Sequence, residues 1–232
     1  MDDNNAFAAA LNLLLGADPT LGQIVLLSLR VSLGAVALAT LIGLPLGAVL
    51  AIARFPGRGA AIVTVNALMG LPPVVAGLVV YLLLSRSGPL GPLGMLFSPG
   101  AMVLAQTVLV LPIVVALTRQ IVEDHWRDYG DLLVIDGVGL PRASAMLISA
   151  ARTSLATAIL AGLGRALAEV GAILIVGGNI AGYTRTMTTA IALETSKGDL
   201  PLALGLGIVL LALTLAINAV ARIVGRAGSA AA

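Results

Sequence analysis

Residues 123–142 read Glu-Asp-His-Trp-Arg-Asp-Tyr-Gly-Asp-Leu-Leu-Val-Ile-Asp-Gly-Val-Gly-Leu-Pro-Arg, and long apolar runs flank them at 101–121 and 155–176. This polar segment holds five of the eleven acidic residues and the only histidine, His125. Because ionised side chains are costly in hydrocarbon, the segment must lie outside a membrane that its neighbours cross. Two glycines, Gly137 and Gly139, precede Pro141. They predict two short helices joined by a glycine turn on the membrane surface.

The composition agrees with a membrane protein. Of the 232 residues, 59% are hydrophobic and 10% are charged. A soluble domain carries about 25% charged residues, so this chain lacks the polar surface needed to face water on all sides. It has no cysteine, which removes disulfides and thiol chemistry from consideration.

The hydrophobic pattern predicts an all-α, polytopic helical bundle with five membrane spans. Each predicted span offers about the 20 apolar residues that a bilayer requires. The predicted spans cover residues 22–53, 60–84, 101–121, 147–176 and 202–220. Residues 1–21 are too short an apolar stretch to cross and are predicted to be an interfacial segment. Residues 122–146 form the polar loop, and 221–232 a short tail.

The basic residues predict the orientation. One set of loops holds eight of them and the other set holds Arg86, Arg185 and Lys197; Arg30 and Arg165 lie within spans. The positive-inside rule places the richer side in the cytoplasm. The N-terminus is therefore predicted outside and the polar loop and C-terminus inside. The richer set comprises Arg54, Arg58, Arg119, Arg127, Arg142, Arg152, Arg222 and Arg226.

The chain lacks residues that several kinds of binding and catalytic site require. The single lysine, Lys197, is followed by Gly198, so the chain has no phosphate-binding P-loop lysine motif. An intramembrane enzyme would need a nucleophile and a base at matching depth, and Ser85 and Ser87 have no histidine near them in sequence. The acidic residues beside His125 could form a carboxylate–imidazole metal cluster, but a solvated helix face is the simpler interpretation. No catalytic residue, metal site or cofactor is predicted.

Two charges lie inside the fourth predicted span. Arg165 and Glu169 are four residues apart, which places them on one face of a helix as a candidate ion pair. Such a pair either faces a water-filled path or a partner subunit, or simply holds two spans together. Small residues also predict close helix packing. They are Gly43, Gly47, Gly162, Gly164, Gly205 and Gly207.

The polar segment resembles the cytoplasmic loop of the permease subunits of bacterial binding-protein-dependent ABC importers of type I. That family's loop has an acid, two alanines, three residues and a glycine. Asp131 stands at the acid and Gly137 at the glycine, while Leu132 and Leu133 replace the alanines. The resemblance implies that residues 122–146 are a coupling loop. Its candidate residues are Asp131, Asp136, Gly137, Gly139, Pro141 and Arg142.

A second resemblance covers residues 164–186, from Gly164-Arg165-Ala166 through Glu169-Val170-Gly171 to the glycine-rich run that begins at Gly177. This run is similar to permeases for molybdate, tungstate and sulfate. The five-span outline and the start Ser28-Leu29-Arg30-Val31-Ser32 look most like the tungstate type. The candidates for an extracytoplasmic gate or loop are Asn179, Thr184, Arg185 and Thr186.

The resemblance implies a function and a set of partners. The chain would be the pore subunit of an importer for a small oxyanion, tungstate or molybdate, in the bacterial inner membrane. It would pair with a second copy, with two ATPase subunits that bind the ATP, and with an extracytoplasmic solute-binding protein, and would have no nucleic-acid partner. A permease for another solute such as sulfate, and a stand-alone channel or secondary transporter, are the alternatives.

Overall fold

The computed structural model describes residues 19–229, and the described chain is helical, with turns and one short 3₁₀ helix and no strand among those residues. The predicted interfacial segment 1–21 therefore lies almost wholly outside the described residues. Residues 19–229 contain nine α-helices, numbered in chain order. They are α1 Pro19–Ile52, α2 Arg58–Met69, α3 Pro73–Leu84, α4 Pro99–Ile135, α5 Leu140–Ala150, α6 Arg152–Leu167, α7 Gly171–Gly177, α8 Met187–Lys197 and α9 Leu200–Ser229.

Three helices are long and apolar enough to cross a membrane. They are α1, α4 and the Leu200–Gly225 part of α9. Two further pairs, α2 with α3 and α5 with α6, pass the same test only jointly, because each pair is bent, by 104° and 78° respectively. The described chain thus offers three candidate spans, or up to five if each bent pair counts as one. The number five and the outward N-terminus remain predictions.

The predicted second span is broken where its sequence requires a break. Gly70 closes α2, Pro72 has φ −60° and ψ 127°, and Pro73 begins α3. A proline has no N–H to donate, and it pushes the residue before it out of the helical region. The two prolines therefore end one helix and start the next.

The predicted fourth span, 147–176, is wrong as a single helix. Its residues belong to the end of α5, to α6 and to α7, with breaks at Ala151 and at 168–170. Neither break contains a proline, and Gly171 follows the second one. No proline therefore predicts these two breaks from the sequence.

The predicted pair of short surface helices also needs a correction. The first half of the polar segment is the C-terminal part of α4, which continues to Ile135. Ion pairs between residues three and four apart stabilise this part of the helix. Arg119 and Arg127 both pair with Glu123, and Arg127 also pairs with Asp124. Only the second half, α5, is a separate short helix.

The chain forms two compact units. The first contains Pro72–Gln106, Arg165–Ala216 and the described part of residues 1–35. Its core includes the fully buried Met102 and Ile173. Ser28 joins two elements there, because its Oγ accepts a 2.8 Å hydrogen bond from the backbone N–H of Met187.

The second unit contains Val36–Leu71, Thr107–Gly164 and the described part of residues 217–232. In it, α1 and α4 approach closely at glycines of α1. A Cβ on Gly43 would lie 2.8 Å from Val114 Cγ1, and one on Gly47 would lie 2.6 Å from Thr118 Cβ. These two predicted packing glycines do permit close contact. Gly164, in contrast, has no atom within 4 Å of where its Cβ would stand.

We expect Gly47→Ala to lower the thermal stability of the protein, because the added methyl meets Thr118 Cβ and, at 2.7 Å, the carbonyl oxygen of Val115. Overpacking of this kind costs about 1–3 kcal/mol. Gly164→Ala is the matched control: alanine favours a helix interior by about 1 kcal/mol over glycine, and its methyl enters open space. Thermal unfolding of the two variants in detergent measures the difference. Equal melting temperatures would contradict the close approach.

Candidate functional site

The turn between α4 and α5 is built around Gly137. Gly137 has φ +67°, a left-handed conformation that suits glycine because it has no Cβ. Its N–H donates to the carbonyl of Val134 at 3.1 Å, and the N–H of Val138 donates to the carbonyl of Leu133 at 2.9 Å. These two bonds are the Schellman pattern that ends a helix.

The two predicted hinge glycines have different roles. Gly139 has φ −67° and ψ 155°, which any residue adopts, and the nearest atom to its Cβ position is Pro141 Cδ at 4.0 Å. It stands just before α5, and Pro141 lies in the first turn of that helix, where its missing N–H costs no hydrogen bond. Gly137 alone therefore needs to be glycine for its conformation.

An apolar core fixes the turn to the rest of the second unit. Leu133 of α4 and Leu147 of α5 are both buried, and Val138 packs against the same cluster. The cluster also includes the C-terminal end of α1 and the part of α4 that is predicted to lie in the cytoplasm. Its buried members are Ala48, Ala51, Ile52, Val122, Leu133, Ala143 and Leu147. The angle between α4 and α5 is thus set by the turn and held by packing.

The opposite side of this turn is exposed and carries both charge and apolar area. Asp131, Asp136 and Arg142 are exposed, and none makes an ion pair with another described residue. Large apolar side chains lie between them in sequence. Their exposed fractions are 61% for Leu132, 64% for Val134, 79% for Ile135 and 52% for Leu140. We call these seven residues the coupling surface.

The second unit also contains a cluster of charged side chains around Glu123 of α4. Glu123 pairs with Arg119 of its own helix and, at 3.6 Å, with Arg58 of α2. Arg58 also donates to the carbonyls of Leu50 and Ala51, at 2.8 and 3.2 Å. These carbonyls belong to the last turn of α1, which has no further helical N–H to satisfy them. One arginine thus joins α1, α2 and α4.

The Arg165–Glu169 pair is present in the first unit, but its two members do not lie on one helix. α6 ends at Leu167, so Glu169 lies in the break before α7. Arg165 Nη1 donates to Glu169 Oε2 at 2.8 Å, and the N–H of Ala172 donates to Glu169 Oε1 at 3.1 Å. Both carboxylate oxygens are therefore used. The Glu169 side chain is 3% exposed and that of Arg165 is 41% exposed.

Neighbouring polar groups fix the backbone around this break. Thr188 of α8 donates its hydroxyl to the carbonyl of Glu169 at 2.7 Å. Gln106 of α4 donates from Nε2 to the carbonyl of Ala166 at 2.9 Å. These bonds connect the break to α4 and α8, and the carbonyl of Ala166 also accepts from the N–H of Glu169 at 3.2 Å.

The structure separates the four gate candidates by role. Thr184 is fully buried: its hydroxyl donates to the carbonyl of Gly177 at 2.6 Å and accepts from the N–H of Ile180 at 2.9 Å. Thr186 is buried too and caps α8 together with Thr189. Asn179 has φ +51° and donates to the carbonyl of Thr189 at 3.3 Å. These three shape the loop.

Arg185 is the gate candidate that contacts other charged groups. Its Nη1 lies 3.6 Å from Glu194 Oε1, and Lys197 Nζ lies 3.1 Å from the same oxygen. Arg185 also lines a cavity, which is described below.

The residues weighed for other chemistries make local contacts in the described chain. Among residues 19–229, no group of three or more His, Asp or Glu side chains is placed to hold a metal ion. The Nδ1 of His125 lies 2.9 Å from the carbonyl oxygen of Ile121, within its own helix. The Ser85 and Ser87 hydroxyls contact each other at 3.5 Å, and Ser85 donates to the carbonyl of Leu82.

Curated permease proteins are similar to this chain in sequence. The "Probable anion ABC transporter permease protein" of Haloferax volcanii is 43% identical over 85% of this chain and 87% of its own length. The "Tungstate uptake system permease protein TupB" of Peptoclostridium acidaminophilum is 39% identical over 92% and 94%. The chain belongs to the permease family of ABC transporters. The predicted family is thereby confirmed.

Further comparisons place the permease within that family. TupB of Campylobacter jejuni is 38% identical over 66% of this chain and 64% of its own length. Sulfate transport permeases named CysW are more distant, at 27–29% identity. No family model matches the chain. The permease is a multi-pass inner-membrane protein, and the predicted localisation is thereby confirmed.

Sequence reasoning missed two features of the permease. It counted Arg58, Arg119 and Arg127 as separate topology markers and did not bring them together on Glu123. The spacing of Arg119, Glu123 and Arg127 by four residues was a usable signal for the helical part. The contact with Arg58 depends on where α2 lies and had no local signal. The second missed feature is the capping role of Glu169 toward Ala172.

Proposed function

We propose that this permease is the membrane-spanning subunit of an ATP-driven uptake system for a small oxyanion. Tungstate is the first choice of solute and molybdate is the second. The observation that carries the proposal is the 39% identity to a tungstate uptake permease over nearly all of both chains. Sulfate remains the alternative solute, and its lower similarity counts against it. In this proposal the permease is a transport subunit and not an enzyme, and a partner subunit binds the ATP; the kind of family to which the chain belongs supports both.

The coupling surface supports docking of an ATPase subunit. It exposes four large apolar side chains outside the apolar stretches of α4 and α6, together with Asp131, Asp136 and Arg142, which have no ion-pair partner among the described residues. Exposed apolar residues clustered among polar ones are typical of protein–protein interaction sites. The turn at Gly137 and the core beneath it hold this surface rigidly. A rigid docking element transmits motion of the partner to the helices that carry it.

The remaining partners follow from the family and from the apolar surface. A second copy of the permease would complete the pore, and an extracytoplasmic binding protein would deliver the anion. α9 has exposed apolar residues along its length, including Leu211, Leu215 and Ile223, which suit lipid or a second copy. The eight-to-three distribution of basic residues supports an outward N-terminus and a cytoplasmic coupling surface.

Uptake by the reconstituted complex tests the function. The permease is co-purified with its ATPase subunit, placed in proteoliposomes, and supplied with the binding protein, ATP and labelled tungstate. We expect tungstate uptake that requires ATP and the binding protein, with molybdate competing better than sulfate. Uptake by the permease alone without ATP would instead identify a channel or a secondary transporter. Preferential uptake of sulfate would contradict the choice of anion.

A further inference from the structure

The first unit contains a cavity near the N-terminal end of α1. Its volume is about 340 Å³, within the range of about 300–1,000 Å³ typical of small-molecule sites. The lining residues come from α1, from the start of α4 and from the loop before α8. The polar ones are Thr20, Gln23, Arg30, Tyr183 and Arg185.

Two guanidinium groups line this cavity. Arg30 is exposed, and no acidic side chain of residues 19–229 lies within ion-pairing distance of it. Arg185 is 21% exposed, and its Nε is buried without a hydrogen-bond partner in the described chain. Buried donors of this kind are rare unless a ligand or water satisfies them.

The local charge balance is positive. Glu194 accepts from Lys197 and lies 3.6 Å from Arg185, so one carboxylate serves two cations there. Arg30 adds a third positive charge with no described counter-ion. Arg30 stands eleven residues after Pro19, roughly 16 Å along α1 at ~1.5 Å per residue. A charge within an apolar span is costly, and such charges commonly mark ion pathways.

We infer that this cavity is an anion-binding site of the permease itself, in which Arg30 and Arg185 hold a tetrahedral divalent oxyanion. Arginine suits this ligand because its planar N–H groups form two parallel charge-assisted hydrogen bonds to adjacent oxygens. The substrate assignment rests on the proposed function. In the predicted orientation the cavity lies on the extracytoplasmic side, so the permease would hold the anion before it passes through.

The test measures tungstate binding by the purified permease–ATPase complex without the binding protein. The complex is placed in phosphatidylcholine nanodiscs, and labelled tungstate is titrated by equilibrium dialysis. Loss of a charge-assisted hydrogen-bond donor should weaken binding roughly tenfold to a hundredfold in Arg30→Gln. Arg86→Gln is the matched control, because Arg86 is an exposed arginine in the same unit that does not line the cavity. We expect it to bind within twofold of the unmodified complex.

Arg185→Gln is a second variant, but it also removes an ion pair on which folding could depend. It leaves Glu194 with Lys197 as its remaining described partner, so part of any loss could reflect unfolding. Arg30→Gln removes no described ion pair and is therefore the deciding variant. Unchanged binding in Arg30→Gln, or an equal loss in Arg86→Gln, would overturn the inference.

A lipid phosphate is the other source of the same chemistry. The titration is repeated in nanodiscs that contain phosphatidylglycerol, and retained lipid is measured by native mass spectrometry. Equal tungstate affinity in both discs supports a site for the free anion. Loss of tungstate binding together with Arg30-dependent retention of phosphatidylglycerol would assign the cavity to a headgroup and overturn the inference. Uptake is scored separately: ATP-driven tungstate uptake without Arg30-dependent binding refutes the site but leaves the function standing.

Discussion

Gly137→Pro permease is expected to enter the membrane in normal amounts and to support no transport. Proline fixes φ near −65°, whereas Gly137 has φ +67°, so the α4–α5 turn cannot keep its present form. The substitution also removes the N–H that donates to Val134. α5 would then leave its position on the buried Leu133 and Leu147, and the coupling surface would lose its shape. The measurement is anion-stimulated ATP hydrolysis by the reconstituted complex, together with the amount of ATPase subunit that co-purifies.

Gly139→Ala is the matched control for that experiment. Its backbone conformation suits alanine and its Cβ position is open, so hydrolysis should stay near the unmodified rate. Asp131→Lys tests the surface without touching the turn: Asp131 is exposed and has no described ion-pair partner, so reversing its charge should leave folding intact while weakening ATPase docking. Normal stimulated hydrolysis in both Gly137→Pro and Asp131→Lys would show that the ATPase docks elsewhere.

The second large effect is expected at the Arg165–Glu169 pair. Arg165→Leu removes the cation that pairs with Glu169, whose side chain is 3% exposed in the unmodified protein, and leaves the N–H of Ala172 as the remaining described hydrogen-bond donor to the carboxylate. Loss of one partner from a buried pair costs about 3–5 kcal/mol, whereas replacing both by apolar residues can be nearly neutral. Because the Arg165 side chain is 41% exposed, we expect the lower end of that range. Glu169→Leu should also destabilise, since it leaves the Ala172 N–H without its acceptor.

A double-mutant cycle separates a structural pair from one that serves the pore. The yield of assembled complex is measured by size-exclusion chromatography, and uptake of labelled anion is measured for the four proteins. We expect the double variant Arg165→Leu/Glu169→Leu to recover much of the lost assembly. If it also transports, the pair only stabilises the break between α6 and α7. If it assembles but does not transport, the charges act in the pore. Strictly additive losses of assembly would falsify the pairing as the source of stability.

The positions of these two sites were predictable to different degrees. The charged residues of 123–142 predicted a polar element between apolar runs. Gly137 predicted the position of its turn, because only glycine adopts φ +67° without a steric cost. The pairing of Arg165 with Glu169 was also predictable from their spacing. The end of α6 between them was not, because the bonds from Gln106 and Thr188 that stabilise this break come from residues distant in the chain.

The sequence by itself determined the membrane class, the apolar segments, the break at Pro72-Pro73 and the outline of the permease family. These depend on composition, on local backbone chemistry and on motifs, all of which are local properties of the chain. Tertiary structure alone decided the bend at Ala151 and the joining of Arg58 to Glu123. It also brought Arg30 and Arg185 to one cavity. The physical reason is that these features depend on contacts between residues far apart in sequence, whose packing and hydrogen bonds override weak local preferences.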